Sequence, residues 1–333
     1  MSELPTFTEL AVLSSASPTY VGVPSRLLAY YEQVKKYQRA ALAPATLRAY
    51  ASDFKAFVAF CQLGQVDHLP AIPETVACFL VYELEERKRR VVTLERRLAA
   101  IRFIHALQNL PSPTDHPKVT TTLAGIRNEV GMAPVRQKAA LSVTELLAMI
   151  EACPNTPWGV RDSAILALGF SGAFRRSELA ALQVEDLQFD AHGRLSCRVQ
   201  RSKTDRAGKG DSKPIYNGRQ VRAVDRLLTW LALAGIEDGP VFPKLDHNGD
   251  ATRAALRPQW IGKIVQRVAK RAGMDPSVLG GHSLRAGFVT EAAEGGESLD
   301  AIMGVTLQRD PRTVLRYIRR AELWRKHPGK GFL

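Results

Sequence analysis

The sequence predicts a mainly α chain with a small antiparallel β-sheet, arranged as a helical N-terminal domain followed by an α+β domain. Apolar residues recur at three-to-four spacing through most of the first 130 positions. Residues 131–140 then carry glycine, proline and cations with no apolar periodicity. Beyond them the period shortens to two over Leu195–Gln200, beside the turn residues Asp190 to Gly193. A length of 333 residues suits two domains, and a hydrophobic content of 45% supports packed cores.

Residues 1–24 are rich in Ser, Thr and Pro and read as a flexible arm. From Ser25 the pattern becomes helical, with Leu27, Leu28, Tyr31, Val34 and Tyr37 in phase. Pro44 opens a second helix that places Leu47, Tyr50, Phe54, Phe57, Val58 and Cys61 on one face and stops at Gly64. Pro73 starts a third through Val76, Phe79, Leu80 and Leu84, and Thr93 a fourth through Leu98, Ile101, Ile104 and Leu107. Pro111 and Pro113 break the pattern before a short fifth helix, Val119–Val130. Residues 25–130 therefore read as one helical domain and 131–140 as its linker. A basic linker suits a segment lying on a phosphate backbone; the same composition suits a solvated hinge.

The second domain, 141–333, opens with a capping box formed by Ser142 and Glu145. Arg161–Phe170 is an apolar helix, Leu187 leads into a hairpin, and Leu195–Gln200 alternates as a strand. Arg201–Asp211 is a polar, glycine-bearing turn, and Lys213–Tyr216 is a third strand. Helices resume at Arg219–Ala234 and Gln259–Ala272, and a last group runs from His282 to Arg325.

The formal charge of +13 points to a polyanionic partner, nucleic acid first and an anionic membrane second. No apolar run approaches the ~20 residues that cross a bilayer, and the polar, acidic N-terminal stretch lacks the basic-then-apolar order of a signal peptide. Cys61, Cys78, Cys153 and Cys197 show neither CxxC pairing nor metal spacing, as expected of reduced thiols in a cytoplasmic protein. No GxxxxGK[ST] loop or acidic metal cluster occurs, so neither a nucleotide cofactor nor a metal is expected.

Against this background a few residues carry chemistry. Arg175 lies in Arg-Arg-Ser-Glu-Leu, His282 and Arg285 form a His-x-x-Arg unit, and Tyr317 sits among Arg316, Arg319 and Arg320. Arginine forks grip a phosphodiester bidentately and stay charged at any working pH. A spacing of three puts His282 and Arg285 on one helical face, as a shared phosphate needs. A tyrosine becomes a covalent nucleophile once its proton has an acceptor.

These residues stand in four ordered segments: GFSGAFRRSELAALQVEDL, RSKTDRAGKG, GHSLRAGFVTEAAEGG and DPRTVLRYIRRAELW. Together they resemble the catalytic domain of the tyrosine recombinase (phage integrase) family, and TLRAYASDFKAFVAFC in the helical domain resembles its core-binding, DNA-binding domain. The resemblance implies a site-specific recombinase that cleaves and rejoins double-stranded DNA through a 3′-phosphotyrosyl intermediate. It implies Tyr317 as nucleophile, Arg175 and Arg285 as the phosphate clamp, and Lys203 as the general acid for the leaving 5′ oxygen. His282 then bonds the phosphate or accepts the tyrosine proton. Glu178, one turn from Arg175, is expected to hold a guanidinium in place. Arg48, Lys138, Arg176, Arg201, Lys263 and Arg267 are candidate DNA contacts.

One position departs from the family pattern. Nine residues before Tyr317, where the family has His or Trp, stands Gln308. Its amide donates a hydrogen bond but does not titrate. Losing a transition-state donor costs about 3–4 kcal/mol elsewhere, and exchanging one donor for another costs less. The resemblance further implies a tetramer on paired sites, exchange of the C-terminal segment between subunits, and an accessory DNA-bending or directionality factor. A type IB topoisomerase, or a relative that binds DNA with impaired cleavage, remains the alternative.

Overall fold

The computed structural model describes residues 42–131, 138–192, 194–199 and 210–325, with Ser25–Leu27 and positions 30, 33, 34 and 37. The expected arm (1–24), most of the linker, the turn that carries Arg201 and Lys203, and the tail from 326 lie outside the described residues. The chain divides into two compact units between Pro134 and Val135.

Prolines mark the helix starts of the first unit, because a residue without an N–H and with φ already near −65° costs nothing at a first helical position. Helices α1 (Pro44–Leu63), α2 (Pro73–Glu85) and α4 (Pro117–Val130) begin this way, and α3 (Val91–Leu107) follows Arg90. Their apolar faces meet in a core of Phe54, Phe57, Phe79, Leu94, Ile101, Ile104 and Val119. Phe57 and Phe79 stack edge-to-face with centroids 5.1 Å apart. Of the face expected from Ser25 onward, the described residues Leu27, Val34 and Tyr37 are exposed, and Leu28 and Tyr31 lie outside the described residues.

The same core encloses charge. Arg97, Glu83 and Asp53 are all buried, with Arg97 Nη1 2.7 Å from Glu83 Oε2 and Arg97 Nε 3.8 Å from Asp53 Oδ1. The Arg97–Glu83 approach is a charge contact rather than an aligned hydrogen bond. Arg96 donates to both oxygens of Asp53 from the outside. Burial holds the Arg97 pKa below its ordinary value, and Glu83 and Asp53 oppose that shift.

In the second unit the expected capping box is present: Ser142 Oγ accepts the Glu145 N–H and the Glu145 carboxylate accepts the Ser142 N–H, opening α5 (Val143–Glu151). Helix α6 (Pro157–Ser171) is buried from Arg161 to Phe170 and packs against α8 (Ala223–Ala234) and α10 (Gly281–Glu294). Between them run α7 (Arg176–Ala181) and an antiparallel sheet, β1 (Leu187–Phe189), β2 (Leu195–Val199) and β3 (Asp211–Ile215), in the order β1-β2-β3. Cys197 lies opposite Lys213 in the β2–β3 register. A further hairpin, β4 (Pro243–Leu245) and β5 (Ala251–Ala255), was not expected. Its turn is organised by Asp246, whose carboxylate accepts the N–H groups of Asn248 and Asp250. Helices α9 (Pro258–Arg271), α10, α11 (Leu299–Thr306) and α12 (Pro311–Arg325) complete the unit.

Two expected boundaries move. The helix expected from Arg219 starts at Ala223, and the third strand begins at Asp211. The end of the expected linker is fastened to the second unit, where Ala139 N–H donates to Val278 O (2.8 Å) and Lys138 Nζ to Ser277 O (2.6 Å). Close approach of this segment also explains Gly287, where a Cβ would lie 2.1 Å from Leu141 O. No described helix is long and apolar enough to cross a membrane.

Replacing Glu83 by alanine strands Arg97 in the first core. Glu83→Ala is expected to lower stability by about 3–5 kcal/mol, as removal of one partner of a buried pair does. Urea unfolding of the full chain measures it, and a loss below about 1 kcal/mol, the scale of an exposed pair, would contradict the assignment.

Candidate active site

Helix α6 ends at Ser171, and a tight turn through Gly172 and Ala173 leads to Arg175. Ala173 takes φ +45°, and a Cβ on Gly172 would fall 2.3 Å from the Phe174 ring and 2.7 Å from Ile215. Only glycine fits that approach. Buried Glu178, one turn into α7, accepts the Arg175 N–H at 2.9 Å with Oε2 and pairs with Arg175 Nη1 through Oε1. One carboxylate thus orients both the backbone and the guanidinium of Arg175.

The first turns of α10 place His282 and Arg285 on one face. Arg285 is buried; Nη1 donates to Ala173 O at 2.7 Å and Nη2 to Thr306 O at 2.8 Å. His282 opens onto a cleft of about 600 Å³ that Arg175, Arg176, Lys138, Lys263 and Gln266 also line. Helices α9 and α10 meet in its lining at Gly262 and Gly281, where a Cβ on Gly281 would lie 3.3 Å from the Arg176 Cβ.

A further cation stands behind this cleft, and it was not among the expected site residues. Lys213 on β3 is fully buried; its Nζ donates to Gly172 O (2.9 Å) and Val305 O (2.7 Å) and lies 5.2 Å from the centroid of the Phe174 ring. The available signal was strand alternation, which sets Lys213 on the same inward face as Ile215. A lysine at an inward strand position needs a partner, and here the partners are carbonyls from distant segments.

The electrostatics follow from crowding cations around one carboxylate. Burial pushes the Lys213 pKa down to about 7; Arg285 and Arg175 add to the shift, and Glu178 opposes it. Burial, then the Arg175 charge, lowers Arg285 to about 10. Enclosure, then Arg285 and Arg175, lowers the His282 imidazole below its ordinary value. The ring itself is open at the cleft, so the enclosure is incomplete, and the two guanidinium charges reinforce the shift toward the neutral imidazole. Among the described groups acting on these three, only Glu178 carries a carboxylate. An entering anion relieves that repulsion.

The other expected residues are distributed as follows. Gln308 is half-buried and follows Leu307, whose φ of +54° turns the chain out of α11. Tyr317 on α12 packs against Val289, Ala293, Ile302 and Val314 and does not line the cleft. Lys263 lines it with its ammonium 4.5 Å from the centroid of the Trp260 ring. Arg267, a candidate DNA contact, pairs with buried Asp162, which also accepts from Arg161 at 3.0 Å. Arg48 is exposed on α1 in the first unit, and Arg201 and Lys203 lie outside the described residues.

Comparison with known proteins identifies the family. The model of the phage integrase family matches residues 140–323. The chain is 32% identical over 286 residues to an integrase/recombinase XerD homolog of Selenomonas ruminantium, covering 84% of this chain and 83% of that protein. It is 26% identical over 302 residues to the Cre recombinase of Escherichia phage P1, covering 84% and 85%. In fold it is similar to the XerH site-specific recombinase in a post-cleavage complex with palindromic difH substrate (TM-score 0.61, 13% identity, 96% of this chain and 92% of that one). It is also similar to a lambda integrase dimer bound to a COC′ core site (TM-score 0.57, 16% identity, 95% and 81%). With more than half its length matched by the family model and a relative at this identity spanning most of it, the chain belongs to the phage integrase family.

Proposed function

We propose that this protein is a site-specific DNA recombinase that cuts and rejoins strands by transesterification through Tyr317. The observation that carries the reading is the grouping of Arg175, paired with buried Glu178, with Arg285 and His282 close enough to act on each other's charge, beside a basic cleft that Arg175 and His282 line. A phosphodiester is the anion such a site favours, because the two guanidinium groups repel each other until a negative charge enters.

The Tyr317 hydroxyl attacks the scissile phosphorus, and the P–O5′ bond breaks. Arg175 and Arg285 hold the non-bridging oxygens as charge develops on them. Neutral His282 bonds the phosphate or takes the tyrosine proton. Lys203 gives a proton to the departing 5′ oxygen. The bond energy stays in the tyrosyl ester, so a 5′ hydroxyl from a second duplex reverses the step and joins new strands. Gln308 donates one amide hydrogen bond to the same phosphate. Because Tyr317 packs on the α10–α11–α12 cluster outside the cleft, delivery of its hydroxyl requires α12 to adjust when DNA is bound. Double-stranded DNA tracks over Lys138, Arg176 and Lys263, which line the cleft.

The same reading places the protein in the cytoplasm, as part of a mobile element, acting as a tetramer on paired sites with exchange of C-terminal segments. An accessory DNA-bending or directionality factor fits that assembly.

A duplex nicked near the crossover traps the covalent intermediate. Wild-type protein is expected to form the adduct and Tyr317→Phe none; adduct from the Phe variant would remove Tyr317 as nucleophile. Gln308→His is expected to leave the single-turnover cleavage rate unchanged or raise it, whereas a large drop would mean that the pocket is built around the amide. Lys203→Ala is expected to slow cleavage by about 10²- to 10⁴-fold, the range of a general acid. A substrate with sulfur as the 5′ leaving atom should restore the rate, and no restoration would take the lysine out of that role.

A further inference from the structure

Beside the candidate active site two helices end against each other. Helix α6 closes at Ser171, and its cap Gly172 and the turn residue Ala173 present their carbonyls just beyond it, while α11 closes at Thr306, leaving those of Val305 and Thr306 at its end. Terminal carbonyls lack intrahelical partners and carry the negative end of the helix dipole. Two such ends repel unless cations stand between them. Lys213 from β3 bridges Gly172 O to Val305 O, and Arg285 from α10 bridges Ala173 O to Thr306 O, one residue further on in both segments.

The two cations are not equivalent. Lys213 is fully buried, spends its ammonium on the two carbonyls and the Phe174 ring, and does not line the cleft. Two of its three N–H donors are thus spent on carbonyls, whereas Arg285 spends two of five, so Arg285 is the better placed of the two to meet a DNA phosphate. What it touches is informative: the carbonyl at Gly172 begins the turn that ends in Arg175, and the carbonyl at Val305 lies just before Leu307, Gln308 and the start of α12 at Pro311.

We propose that Lys213 is a positioning residue for strand cleavage, holding the end of α11 against the turn before Arg175 and so setting where Gln308 and, through α12, Tyr317 stand relative to the two arginines. The proposal rests on the roles given above to Tyr317, Arg175 and Arg285. Lys213 also shares the tie with Arg285, which keeps the remaining N–H donors of that guanidinium for phosphate.

The test compares wild type, Lys213→Met and Lys213→Arg on the nicked duplex, with DNA affinity and hydrogen exchange measured on the same full-length proteins. Lys213→Met keeps much of the volume but removes both donors. It is expected to bind DNA as wild type does and to cleave about 100-fold more slowly, the scale of a reacting group displaced by an ångström. Amides at 305–310 should exchange faster, while those of β2 and β3 stay protected. Lys213→Arg, which retains charge and donors, should recover most of the rate. The sulfur-leaving-group substrate should not rescue Lys213→Met. Rescue by sulfur would make Lys213 a proton donor and overturn the proposal. So would wild-type cleavage by a folded Met variant with faster exchange at 305–310, or a loss of DNA binding equal to the loss of rate. Failure of both variants to fold would also overturn it, by assigning the lysine to the stability of the whole unit. If wild type itself forms no adduct, the recombinase reading fails first, and independently of Lys213.

Discussion

The second unit is organised around a joint in which two helix C-termini are brought together over two buried cations. The turn that follows α6 and the end of α11 each present two backbone carbonyls, and Lys213 and Arg285 each take one from either side. This contact connects four elements distant in sequence: α6, β3, α10 and α11. It also fixes the geometry of the candidate site, because Arg175 follows one of the joined ends and Gln308 follows the other. Gly172 and the left-handed Ala173 make the turn tight enough for the carbonyls to face the cations.

Gathering like charges has a cost, and the environment shows where it falls. Burial heads the downward pKa shifts of Lys213 and Arg285, with neighbouring cations reinforcing it. Glu178 offsets part of this while orienting Arg175. The result is a pocket held in an electrostatically unfavourable state until an anion arrives. For a reaction that builds negative charge on phosphate oxygens, donors already in place need no reorganisation during the reaction. The first unit handles its buried charge differently: Arg97 stands between two buried carboxylates, Glu83 and Asp53, inside the core.

Much of the fold was legible because its signals are local. Proline at helix starts, the Ser142–Glu145 capping box and the alternation at Leu195–Val199 depend only on neighbours in the chain. The residues Arg175, His282 and Arg285 were legible for a related reason: a spacing of three on a helix, and a family-like order of segments, survive in the linear text. Lys213 was not, because a lysine in a short polar strand reads as solvated until the segments that cover it are known. The β4–β5 hairpin was missed although Asn248-Gly249 is turn chemistry, since its strands are short and weakly apolar. The pairing of Arg267 with Asp162 was not legible either, because cationic helix residues read alike and only packing brings the two together.

By itself, then, the sequence determined most of the helices and the strands β2 and β3, the excess positive charge of the chain, and which side chains are candidates to hold and attack a phosphodiester. Periodicity, capping and residue chemistry are properties of short stretches. The tertiary structure alone decided which carbonyls the cations meet, that Arg285 is buried behind the cleft while His282 opens into it, and that Tyr317 rests on the α10–α11–α12 cluster. Those outcomes come from long-range packing, where the burial of a charge is set by segments more than a hundred residues away, as in the contact of Arg285 with Ala173.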